Sequence, residues 1–68
     1  FEFEILTESK ITKKPLKELS FPEDAIIGGI IRNNFGYVAT GDTHVQVGDL
    51  VVVFALTSSI IKMEKFFR

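Results

Sequence analysis

The feature that most constrains this chain is the apolar run Leu50-Val51-Val52-Val53-Phe54-Ala55-Leu56, entered through Gly48-Asp49. It is far too short to cross a bilayer as a helix, which takes about 20 residues. Bounded by a tight turn, it reads as a strand. Being apolar on both faces, that strand is expected at the centre of a sheet or covered on both sides.

The remaining segments arrange themselves around it. Phe1-Glu2-Phe3-Glu4-Ile5 alternates apolar and charged residues, the period of a half-buried strand. Glu8 to Thr12 is polar and reads as a connection. Pro15 suits the first turn of a short helix in which Leu16 and Leu19 share a face, and Pro22 ends it. Ala25-Ile26-Ile27-Gly28-Gly29-Ile30-Ile31 reads as a buried strand, and its glycine pair predicts a bulge or a close approach by another backbone or a ligand. Arg32-Asn33-Asn34-Phe35-Gly36 has turn chemistry, with Tyr37-Val38-Ala39 returning as the partner strand. Val45 and Val47 give a brief extended piece. After Thr57, Ser58 or Ser59 as a cap, Ile60, Met63 and Phe67 form the stripe of an amphipathic closing helix. The expected order is β-α-β-β-β-α, an α+β domain with a small mixed sheet of about four strands.

At 68 residues the chain is one domain, residues 1–68. A chain of this length buries only about 60% of its unfolded surface. Its composition is nevertheless 46% hydrophobic, with seven Phe and no Cys to staple it. Part of the apolar surface is therefore expected to meet another copy, and a homodimer is the simplest arrangement. The chain starts at Phe1, directly in strand-like sequence, and so reads as a segment of a longer protein.

Several functions are disfavoured. A net charge of −1, with Lys10, Lys13, Lys14 and Lys17 interleaved with acidic residues, argues against nucleic acid. One His and no Cys supply no zinc set, and no cofactor fingerprint is present. His44 has no serine near it in sequence, so no nucleophile–base arrangement is visible and no catalytic residue is expected.

Taken together, Lys14-Pro15-Leu16-Lys17-Glu18-Leu19, Ile30-Ile31-Arg32-Asn33-Asn34, Gly41-Asp42-Thr43 and Val47-Gly48-Asp49-Leu50-Val51-Val52-Val53-Phe54 resemble the C-terminal regulatory domain of bacterial potassium-uptake and potassium-conductance regulators, the TrkA-C or RCK_C family. The resemblance covers essentially the whole chain. The family's small residue before the first helix and its Pro near Thr40 are absent, which bears on loop shape. The resemblance implies a cytoplasmic dimer, held near the inner face of the membrane by its parent. It also implies a partner, either a membrane cation transporter subunit or a fused transmembrane or nucleotide-binding domain. A small nucleotide effector is implied as well, with cyclic di-AMP bound between protomers in some members. Other transporters and some transcription regulators carry such domains too, and a purely structural dimerisation role is the rival reading.

The candidate ligand residues are Ile26, Ile27, Ile30, Ile31, Arg32, Asn33, Asn34 and His44. The isoleucines serve equally as core, as dimer interface or as walls for a wedged ligand. Arg32 and the asparagines serve as turn residues, or Arg32 pairs with a phosphate while an Asn reads a base edge. His44 is a half-exposed strand residue, or its ring contacts the effector.

Overall fold

The computed structural model describes residues 1–68. The alternating N-terminal segment forms strand β1 (Glu2–Glu4) and the isoleucine-rich segment forms β2 (Ala25–Arg32). The hairpin returns as β3 (Phe35–Val38), and the apolar run becomes β4 (Leu50–Ala55). They make one sheet in the order β1-β4-β2-β3, so the apolar run is central as expected.

Every pairing is antiparallel, where the expectation was a mixed sheet. The reason is topological. β1 and β2 do run the same way, joined by a helical crossover, but β4 inserts between them and pairs antiparallel with both.

The β2–β3 turn closes on Asn33 and Asn34, at φ 53° and 69°. Two successive residues of positive φ match the right-handed twist of a two-residue hairpin, and Asn tolerates that region best among residues with a side chain. Gly48, at φ 98°, turns the chain into β4 in a conformation that a side chain would strain.

The glycine pair forms the expected bulge, with the β2–β4 register shifting between Ile27 and Gly29. Its consequence is the placing of side chains. Ile27 and Ile30 pair with Val53 and Val51 and are all buried on one face. In an unbroken strand, residues three apart would point to opposite faces. The close approach is also real, because a Cβ at Gly29 would stand 2.8 Å from the carbonyl oxygen of Tyr37 on β3. Backbone cannot swing away as a side chain can. Gly29→Ala is expected to lose about 2 kcal/mol of stability in urea unfolding, through overpacking of the β2–β3 pair. Accelerated amide exchange confined to β3 would locate the damage.

The helical layer covers one face only. Helix α1 (Lys10–Lys13) is followed by a 3-10 turn at Leu16–Glu18. Helix α2 (Ile60–Glu64) is flanked by 3-10 turns at Thr57–Ser59 and Lys65–Phe67. The Leu16 turn and the closing helix were expected, although the first is a single 3-10 turn. Helix α1 falls where a polar connection was expected. It buries Ile11 completely, and the Ser9 hydroxyl at its start donates to the Phe66 carbonyl at 3.0 Å. Thr43–Val47 forms no strand, although Val45 is fully buried.

The core joins Ile5, Ile11, Leu16, Ile27, Ile30, Val45, Val51, Val53 and Met63. Phe67 stacks on Phe3 at 4.3 Å between ring centroids, and Phe66 tilts against Phe21 at 4.7 Å, closing the C-terminal end over the sheet. No helix is long and apolar enough to cross a membrane.

Candidate functional site

The second face of the sheet has no covering layer. Ile26 and Phe54, paired across β2 and β4, are 63% and 62% exposed, and Val38 on β3 is 84% exposed. Gly28, Gly29 and Gly36 supply no side chains between them. The result is a shallow hollow of about 320 Å³, also lined by Ile31 and Val52. A smaller cleft of about 240 Å³ lies beside it, where Ile26 and Ile27 meet Leu16, Phe21 and Gly41. Contiguous exposed apolar surface of this kind marks an interaction face.

The bulge divides the candidate residues between the two faces. Ile26 and Ile31 are exposed on the open face, whereas Ile27 and Ile30 are core residues on the helical face. Asn33 and Asn34 are exposed in the hairpin turn.

Arg32 comes next in β2 and lies on the helical side with Ile30. Its Nε and Nη2 donate to the two carboxylate oxygens of Asp49 at 2.8 and 2.7 Å, a bidentate pair. Nη2 also donates to the His44 carbonyl at 3.1 Å. The structure therefore brings Arg32 and His44 together, through the backbone of His44. The His44 ring turns the other way, its Nε2 standing 2.6 Å from the Thr12 carbonyl.

Asp49 was read from sequence only as half of a Gly-Asp turn. Its side chain is 1% exposed, against 29% for Arg32. Besides the guanidinium, it accepts the backbone N–H of Gln46 at 2.8 Å, closing the loop that carries Gly48. The Arg32 hydrogen bond holds the Asp49 carboxyl below its ordinary value, aided by the Gln46 N–H and by charge attraction, while burial opposes them. The same bond raises Arg32. A readable signal was present: a carboxylate directly before a buried strand needs a partner. Arg32, at the end of the neighbouring strand, is the basic residue placed to supply it.

The arrangement defines a two-layer α+β domain with a clamped polar end and one apolar sheet face left open. The chain belongs to the TrkA-C domain family, whose model matches residues 1–68. It is 39% identical over 64 residues to a Trk system potassium uptake protein TrkA homolog of Archaeoglobus fulgidus, covering 94% of this chain and 15% of that protein. It is 36% identical over 67 residues to Trk system potassium uptake protein TrkA of Azorhizobium caulinodans, again covering 15% of the relative and 98% of this chain. The chain thus spans about one seventh of these relatives. A solved structure described as an RCK domain with cda shares the fold at a TM-score of 0.80 and 26% identity, over all of this chain and 96% of that one.

Proposed function

We propose that this domain is a non-catalytic regulatory module of a cytoplasmic protein that controls a potassium transporter. In this reading it pairs with a second copy and senses a small nucleotide between the two. Family membership supports the potassium system, since the curated relatives are Trk uptake proteins. The observation that carries ligand sensing is the open apolar face with its glycine-lined hollow.

The mechanism is linkage. A ligand that contacts one dimer arrangement better than another shifts their populations by that difference in affinity, and the shift biases the transporter. Ile26 and Ile31 supply apolar surface for a base. Arg32 already has Nε and Nη2 committed, but Nη1 makes no hydrogen bond within the chain. That nitrogen offers two further donors to a phosphate without releasing Asp49.

Cyclic di-AMP is the effector to test, on the family resemblance and on the neighbour described with cda. Calorimetric titration should give saturable heat, and Ile26→Ser should abolish it without altering the urea midpoint by more than about 0.5 kcal/mol, as for other exposed sites. No heat and no thermal shift in the parent chain discards this ligand. A purely structural dimerisation role is the second reading, favoured by the intramolecular engagement of both Arg32 and the His44 ring.

A further inference from the structure

The two edges of the sheet are built differently. β1 presents Glu2 and Glu4, both exposed, and two copies paired along that edge would set carboxylates against each other. Alternating charge of this sort guards an edge against pairing. β3, Phe35-Gly36-Tyr37-Val38, is exposed at all four positions and carries no charge and no proline. It is the unguarded edge of an otherwise paired sheet.

The hairpin register fixes which backbone groups face outward. Arg32 opposes Phe35 across the two-residue turn, and Ile30 opposes Tyr37. In a two-residue hairpin the pair flanking the turn is hydrogen-bonded, and the pattern alternates from there. The N–H and C=O of Phe35 and Tyr37 therefore point into the sheet, as does the Ala39 N–H, which donates to Gly28. Those of Gly36 and Val38 point out.

We infer that β3 pairs antiparallel with β3 of a second copy across a two-fold axis passing between the two Tyr37 residues. The inference rests on the dimeric reading above and specifies its geometry. In that register Gly36 lies opposite Val38 of the second copy, and each such pair exchanges two hydrogen bonds. All four outward groups of each β3 are satisfied. The arrangement is also sterically self-complementary, because the exposed Val38 side chain stands beside a residue with none. The two open-face hollows then adjoin across the axis, and each is walled on that side by Val38 of the second copy.

Single-cysteine cross-linking tests the register directly, in a chain with no cysteine of its own. Two facing residues at a non-hydrogen-bonded site stand about 4.5 Å apart at Cα, within disulfide range. Tyr37→Cys should convert the bulk of the chain to a covalent dimer under mild oxidation, and Glu2→Cys, on the guarded edge, should not. Hydrogen exchange on the unsubstituted chain supplies a readout that needs no variant. The Gly36 and Val38 amides should slow by about tenfold or more between dilute and concentrated samples as the edge becomes paired. A chain that sediments as a dimer yet leaves those amides fast and Tyr37→Cys uncross-linked overturns the edge pairing alone. A chain that stays monomeric at high concentration overturns the dimeric reading and this geometry with it.

Discussion

Asp49→Ala is expected to destabilise the domain by about 3 kcal/mol, the usual loss when one partner of a buried ion pair is removed. For a chain of this size the whole stability is of order 3 to 10 kcal/mol, so the variant should be largely or partly unfolded at room temperature. The loss has two parts. Arg32, only 29% exposed, is left without its bidentate partner, and the Gln46 N–H loses its acceptor. Chemical denaturation followed by circular dichroism measures it, and a variant within about 1 kcal/mol of the parent would show the pair to be dispensable.

The same pair sets a pH dependence whose sign follows from the direction of the shift. The Asp49 carboxyl is held below its ordinary value of 3.8, so the folded state binds that proton less readily than the unfolded chain. The resulting stability is complete above about pH 4 and drains away as the pH falls through the native value. Asp49→Asn, which cannot titrate, should be less stable than the parent at neutral pH. The difference between the two should shrink on acidification. A gap that stays constant from neutrality to the onset of acid unfolding would contradict the assignment.

Ile11→Ala should be nearly as damaging, at about 3 kcal/mol, because Ile11 is fully buried and the cavity it leaves cannot be filled by neighbours already packed. The appropriate comparison is Ile61→Ala. Ile61 is 73% exposed, and its truncation should cost no more than about 0.5 kcal/mol. Helix α1 packs on the C-terminal 3-10 turn, so the Ile11 variant should also disturb the Phe66 and Phe67 ring resonances. Equal costs at the two positions would show that α1 adds little to the core.

The contrast between these isoleucines marks where the sequence could be read and where it could not. β4, β2, the Asn33–Asn34 turn and the closing helix follow from periodicity and turn chemistry that act within a few residues. Helix α1 does not. Four residues with a single isoleucine have no period to detect, and its turn is stabilised by the Ser9 N–H donating to Thr12 and by the Ser9 contact with Phe66, far along the chain. The sense of the sheet was misjudged for a similar reason, since insertion of β4 between β1 and β2 is a long-range event. The site was legible in part. Arg32 and His44 were singled out and do meet, but the residue that joins them to the core, Asp49, looked like a turn residue because its partner lies 17 positions away.

The Gly28–Gly29 irregularity has a consequence for how this sequence tolerates change. Removing one residue there would restore strict alternation and reverse the parity of everything before it in β2 relative to everything after it. With Ile30 and Arg32 held in place, Ile26 would turn inward and Ile27 outward. Were the N-terminal half held instead, Arg32 would leave the side on which Asp49 waits. Conservative substitutions along β2 shift packing by fractions, whereas a one-residue deletion exchanges inside for outside. Variation in length should therefore be far less acceptable in this strand than variation in side chain.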